Sequence, residues 1–373
     1  MYSKFVALLL CVSIAFEVDA ASPDDVWDPS STWVFAIGLL EWEDPKFQDF
    51  PKENRQDEAF IDVMKSKGVA SNRIVYLRDG QATTKRVADE FGRFVGRPAE
   101  GDTLILYYCG HGYNSSDHRQ TFLASYDATD NQPGIRVGSF LVTIEKFFKG
   151  KNVIIAADHC CSGGIAESVK VLQKPHASYA VFCSAHVNSG STGAWTFTEN
   201  LVNGFRGEPF MDDNADGTVT IAEIAANTAE DMAFADNQMA QFAITASFPK
   251  RLIISKTTSL PKSTVGARLE IQSDGQWYRG YVTDVDEQRI RVHYFGFPKS
   301  DDEWVDSTRT RKLNSRTIPE GSKVKVLSSG EWYDASVIGV RLGLHHVKFD
   351  GWEREWNEWV PIDRIQPKRR LKK

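Results

Sequence analysis

The stretches Thr103-Leu104-Ile105-Leu106-Tyr107-Tyr108-Cys109 and Val153-Ile154-Ile155-Ala156-Ala157 are apolar at nearly every position. A strand of that kind has no face to leave in water, so its sheet must be covered on both sides. The covers are also readable. Residues 56–67 carry Ala59, Phe60, Val63 and Met64 at helical spacing, and residues 83–95 carry Val87, Phe91 and Val95. Shorter strand candidates lie at 33–38, 73–77, 177–183 and 242–247. Strands alternating with amphipathic helices across residues 32–255 predict a layered α/β domain. In such a sheet the functional loops gather at the carboxyl ends of the strands.

The start of the chain reads as an export signal. Lys4 precedes an apolar run over residues 5–16, too short to span a bilayer, and Val18-Asp19-Ala20 offers small residues where a signal peptidase cuts. Residues 1–20 are therefore expected to be a signal peptide, and the mature chain to be secreted or periplasmic with no membrane span. Cys109, Cys160, Cys161 and Cys183 remain after its removal, all in or beside apolar runs. That is not a disulfide framework; it is the pattern of buried thiols plus a reactive one. A net charge of −6 argues against a nucleic-acid partner, and the basic residues 368–373 read as a solvated tail.

Composition shifts at 256–264, a linker rich in Lys, Ser, Thr and Pro, and beyond it the chain repeats itself. Trp277 and Tyr278 recur as Trp332 and Tyr333, Val292, Tyr294 and Gly296 are answered by Val347, Phe349 and Gly351, and Arg309 by Arg364, every pair 55 residues apart. An ungapped offset over so many positions means two copies of one module, at 265–313 and 320–367. Short alternating stretches broken by turn residues predict a small all-β barrel for each.

Two of the apolar strands run into chemistry. The first stops at Gly110-His111-Gly112 and the second at Asp158-His159-Cys160-Cys161-Ser162-Gly163-Gly164. Glycines on both sides of His111 let the backbone turn sharply and approach a substrate closely. A cysteine followed by Ser and two Gly sits on a loop whose amides are free to donate, which suits a thiolate and a neighbouring oxyanion. No pair of short Cys/His knuckles recurs, which disfavours a structural zinc site.

Tyr107-Tyr108-Cys109-Gly110-His111-Gly112 resembles the motif around the catalytic histidine of caspases and metacaspases. Asp158-His159-Cys160-Cys161-Ser162-Gly163 is similar to the metacaspase pattern around the nucleophile, and residues 193–201 match a further family stretch. Histidine precedes cysteine by 49 residues, the separation expected of caspase-type enzymes. The resemblance implies a three-layer α/β sandwich with a mainly parallel central sheet and a cysteine-type endopeptidase. Cys160 would be the nucleophile and His111 the base, with the amides of Gly112 and Cys160 forming the oxyanion hole. Asp158 would bind a basic residue before the scissile bond, and no cofactor is required for the chemistry. The sequence departs from the family at residues 184–191, which hold no carboxylate where metacaspases place a second acid. His159 and Cys161 are unusual neighbours of a nucleophile, and Cys161 reads as a buried thiol or as a redox partner.

Residues 212–223 fit a twelve-residue calcium loop, with Asp212, Asn214, Asp216, Thr218 and Glu223 as ligands for Ca²⁺; the plainer reading is a polar turn that caps the following helix. The C-terminal repeats are similar to Tudor-like or chromo-barrel modules. Tyr278, Tyr294, Phe297 and Trp304 are candidates for one aromatic ligand cage, and Tyr333, Phe349, Trp352 and Trp359 for another, or else for core filling. The expected partners are a protein or peptide substrate and a protein ligand of the repeats. A competing reading makes the first domain a catalytically silent scaffold for the two modules.

Overall fold

A computed structural model describes residues 25–117, 119–259, 264–313, 316–328 and 330–367. The expected signal peptide, the basic tail and linker residues 260–263 lie outside the described residues. In chain order the elements are β1 (Thr32–Gly38), α1 (Gln56–Lys67), β2 (Ile74–Arg78), α2 (Thr84–Phe94), β3 (Thr103–Cys109), β4 (Gly112–Asn114), β5 (Thr121–Leu123), β6 (Ile135–Arg136), α3 (Val137–Phe147), β7 (Asn152–Asp158), α4 (Gly163–Lys170) and β8 (Ser178–Cys183). Then come α5 (Thr196–Arg206), β9 (Thr218–Thr220), α6 (Ile221–Asp236), β10 (Gln241–Ile244) and β11 (Ile253–Lys256). Among the described residues no helix is long and apolar enough to cross a membrane.

The central sheet has the order β10-β8-β7-β3-β1-β2 and is parallel except for β10. Period-two alternation sorts each strand between two cores. Trp33, Phe35 and Ile37 of β1, Leu104, Leu106 and Tyr108 of β3, and Val153 and Ile155 of β7 face α2, α3 and α4. Val34 and Ala36, Ile105 and Tyr107, and Ile154 and Ala156 face α1, α5 and α6. Both faces are thus apolar because both carry helices, the reason the strands lack polar alternation. Cys109 and Cys183 are buried in these cores, and the four described cysteines are free thiols.

The repeats form two separate antiparallel sheets. The first contains β12 (Arg268–Ser273), β13 (Gln276–Val285), β14 (Ile290–Tyr294), β15 (Glu303–Val305) and β16 (Thr310–Arg311). The second contains β17 (Lys323–Ser328), β18 (Glu331–Arg341), β19 (Leu344–Phe349), β20 (Glu358–Val360) and β21 (Ile365–Pro367). Their strand orders, β15-β14-β13-β12-β16 and β20-β19-β18-β17-β21, are equivalent under the repeat. Each has its own small core, around Ile271, Val282 and Val292 in one and Val326, Val337 and Val347 in the other.

The first module docks on the α/β domain through buried polar groups. His293 is 1% exposed and lies between two carboxylates, Nε2 at 2.8 Å from Glu199 of α5 and Nδ1 at 2.6 Å from Asp302. Tyr281 donates its hydroxyl to Glu199, and Arg268 pairs with Asp231 and Glu230 of α6. Burial would lower the pKa of His293, but the Asp302 and Glu199 carboxylates outweigh it and hold it up at about 9. The folded value lies above the unfolded one, so this clamp is present in full below about pH 6.5 and is lost progressively as the pH climbs through about 9. The expected result is a fall in stability of up to about 1.4 kcal/mol per pH unit over that interval. Thermal melts of wild type and His293→Gln between pH 6 and 10 check it; equal slopes in both would refute the clamp.

Candidate active site

β3 and β7 are neighbours in register, with Cys109 opposite Asp158 at their carboxyl ends. His111 and Cys160 each lie two residues beyond that pair. Parallel pairing therefore brings to one sheet end two residues that are 49 apart in the chain. Both line a single cavity of about 340 Å³, together with Asp158, residues 191–195 and Phe50.

His111 is held from three sides. Its ring packs among Trp42, Phe47 and Phe50, with centroids 4.4, 5.6 and 4.6 Å away. Its Nε2 lies 2.8 Å from the Gln48 carbonyl oxygen. A carbonyl only accepts, so Nε2 carries the proton and Nδ1 is left as the basic nitrogen. Tyr108 donates its hydroxyl to the His111 carbonyl (2.6 Å) and the Ala124 carbonyl (2.9 Å), fixing the backbone turn. Burial pushes the pKa of His111 below the ordinary value, which favours the neutral ring. The loop that carries Gln48 is anchored where β1 ends by Arg55, which pairs with Asp57 at 2.7 Å and Asp79 at 2.6 Å.

Cys160 is partly exposed, and its sulfur accepts the Ser191 amide at 3.1 Å. The turn is completed by Cys161, a non-glycine residue at φ +61° whose amide donates to the Ser189 carbonyl. Holding a side chain in that region costs roughly 1 kcal/mol or more, a strain typical of sites whose geometry matters. Burial, with Cys160 alongside, pushes the Cys161 thiol up to about 11, so it rests protonated. His159 is buried below the turn. Its Nδ1 donates to the Cys160 carbonyl at 2.7 Å, its ring meets Tyr108 edge-on, and burial lowers its pKa to about 4. Gly112 packs directly on that imidazole: a Cβ there would lie 2.7 Å from His159 Cγ and closer still to Nδ1.

No family model matches the chain, and no curated protein matches it. Solved structures do match. Caspase-1 from Spodoptera frugiperda is 13% identical over 65% of this chain and 99% of its own, with a TM-score of 0.40. Protein GSU0716 from Geobacter sulfurreducens is 15% identical over 61% of this chain and 99% of its own (TM-score 0.38). AGDP1 AGD34 from Arabidopsis thaliana is 19% identical over 28% of this chain and 81% of its own (TM-score 0.14).

The base of the cavity is acidic. Asp158 accepts a hydrogen bond from Thr198 at 2.8 Å, and its pKa is pushed up to about 7, first by burial and then by Asp236. Asp236, the last residue of α6, is pushed up to about 6 by burial, opposed in part by Thr196 and Thr192. Its Oδ2 is buried with no hydrogen-bond partner among the described residues. Residues 184–191 hold no carboxylate, and the acid that acts on Asp158 comes from α6, from behind the residues that line the cavity. Gln48, Ser191 and Gln238 were likewise not anticipated. Gln238 donates to the Ser184 carbonyl and the Ser191 hydroxyl and accepts the Thr192 amide, bracing the cleft wall. Residues 193–195 line the cavity and lead into α5, so the family-like stretch 193–201 joins cleft to helix.

The 212–223 loop is bonded within itself. Asp212 accepts the Asp216 and Gly217 amides, Asn214 the Asp216 amide, Asp216 the Thr218 amide, and Glu223 closes a capping box with Thr220. Among the described residues no three His, Cys, Asp or Glu side chains gather to hold a metal ion. In the first module Tyr278, Tyr294 and Phe297 meet with centroids 5.6–6.0 Å apart, whereas Trp304 lies under Arg289 instead. In the second, Tyr333, Phe349 and Trp352 meet and Trp356 joins them. Trp359 stacks on His346 and packs with Ala233 and Met239 of the α/β domain.

Proposed function

We propose that the protein is a cysteine-type endopeptidase of the caspase/metacaspase kind, acting by a Cys160–His111 dyad. The observation that carries this is the register match: both side chains lie two residues beyond the paired ends Cys109 and Asp158 and line one cavity. His111 Nδ1 takes the thiol proton as Cys160 attacks the peptide carbonyl, then delivers it to the leaving amine. Because Nε2 is committed to Gln48, the imidazole has one basic nitrogen and an imidazolium whose positive charge the carbonyl supports. The Ser191 amide favours the thiolate, and the amides of Gly112 and Cys160 take the oxyanion, each worth roughly 3 kcal/mol at such sites. Water then releases the acyl group from Cys160.

The Asp158–Asp236 pair favours a cationic side chain, arginine or lysine, before the scissile bond. Two desolvated carboxylates with raised pKa values gain when a substrate cation arrives, since it compensates the desolvation that raised them. Fluorogenic peptides with arginine, aspartate or asparagine at that position test this, and arginine is expected to be cleaved fastest. As the pH falls from 8 to 5 the pair becomes protonated, with apparent pKa values near 7 and 6. KM for the arginine peptide is therefore expected to rise about tenfold per unit below pH 6, while a neutral peptide shows no such rise. Equal KM profiles for both peptides would exclude the acidic pair as the cation site. The C-terminal modules are proposed to be small barrels that bind a protein ligand through their aromatic clusters, and the enzyme is proposed to act after export. Wild-type protein that cleaves none of the peptides would instead support a silent scaffold.

A further inference from the structure

The cavity that holds Cys160 and His111 is not closed by the α/β domain alone. Gly296 and Pro298, from the loop that leaves β14 of the first module, form part of its lining. Between them in sequence lies Phe297, 41% exposed and in ring contact with Tyr278 and Tyr294. Gly296 has φ +82°, a left-handed turn that sends the loop back toward the α/β domain, and Lys299 just beyond it reaches Asn203 of α5.

A second, independent contact reaches the end of α6, beside Gln238, which braces the same cavity. Arg279 of β13 donates to the carbonyls of Phe234 and Ala235 and to the Asn237 side chain, capping the carboxyl end of α6. A cation at that end opposes the helix dipole. Its charge also favours ionisation of Asp236, the residue at which the helix stops. One residue beyond Asn237, Gln238 grips the Ser191–Thr192 wall whose amide meets the Cys160 sulfur. The first module thus contributes a wall at Gly296 and Pro298 and, through Arg279, a brace on the end of α6 behind the Ser191–Thr192 wall, and the buried His293 clamp helps hold it in place.

We infer that the first C-terminal module is a built-in part of the substrate cleft, with Phe297 receiving an apolar side chain of the polypeptide whose scissile bond lies at Cys160. This rests on the peptidase reading above. The occupant is substrate because Gly296 and Pro298, the residues on either side of Phe297, line the cavity that holds Cys160. A peptide too short to leave the α/β domain gains nothing from the module; a longer one gains the burial of an apolar side chain against Phe297 and Tyr278.

The mature full chain is treated with iodoacetamide and with two aza-peptide epoxides that place arginine at the electrophilic centre. One carries a single residue on each side and the other four, with leucine at the outer positions. Second-order rates of Cys160 alkylation are followed by mass spectrometry. The longer reagent is expected to react at least about tenfold faster than the shorter in wild type, and the advantage to shrink to about threefold or less in Phe297→Ala. Pro298→Ala serves as a second variant, and thermal melts confirm that both are folded. A long-to-short ratio that is unity in wild type, or unchanged in both variants, overturns the inference while leaving the peptidase reading intact. Failure of both epoxides to modify wild-type Cys160, with iodoacetamide reacting, removes the peptidase reading itself and this inference with it.

Discussion

Cys160→Ala is expected to lower kcat/KM for an arginine peptide by on the order of 10³-fold or more, with little change in stability. The side chain is partly exposed and its polar contacts are to the Ser191 backbone, amide and carbonyl, so its loss leaves no buried charge behind. His111→Ala is expected to cost a similar factor in rate, because the thiol then lacks its proton acceptor. The double variant should be little worse than either alone, since nucleophile and base act as a unit. Initial rates for the three variants, alongside thermal melts, check this. Turnover that survives Cys160→Ala would remove this thiol as the nucleophile. Cys161 is not a substitute: its thiol is held up at about 11 and its amide is tied to Ser189.

Gly112→Ala is the second large effect, and it concerns stability. The added Cβ would overlap the imidazole of His159, which cannot retreat: the ring is 1% exposed, bonded to the Cys160 carbonyl and edge-on to Tyr108. Overpacking of this kind costs roughly 3 kcal/mol, and for a domain of this size that lowers Tm by about 6–12 °C. Activity should fall with it, because the displaced ring bears on the backbone of the nucleophile. The discriminating measurement is the double variant Gly112→Ala/His159→Ala. Removing the imidazole that faces the new methyl is expected to recover a large part of the lost stability relative to Gly112→Ala. A double variant whose loss is simply the sum of the two single losses would show that the glycine is needed for another reason.

The same pair explains two oddities of the sequence at once. By sequence a glycine after His111 means freedom for the backbone, and a histidine before Cys160 is out of keeping with the family motif it resembles. In the structure each accounts for the other: the imidazole occupies the space that a side chain at 112 would need. Gly112 does not have positive φ, so its requirement is steric. Gly110, at φ +146°, is the one of the two whose backbone conformation excludes other residues.

What the sequence determined alone is what depends on local pattern. Strands apolar on both faces, helices at 3.6-residue spacing and a constant 55-residue repeat offset are written in neighbouring residues, and they were legible. So was the placement of His111 and Cys160 just past two strand ends, because a motif there needs only the strand to be recognised. Tertiary structure alone decided the rest of the cavity. Asp236 and Asp158 are 78 residues apart, and a carboxylate in the last turn of α6 reads as solvent-facing until packing sets it near Asp158. Gln48 acts through its backbone carbonyl, which carries no signature in its side chain. The wall at Gly296 and Pro298 belongs to a different folding unit, and its place depends on buried polar contacts between units, His293 with Glu199 and Arg268 with Asp231 among them. Periodicity records which face of an element is covered; it does not record by what, because burial is a property of the whole packed chain.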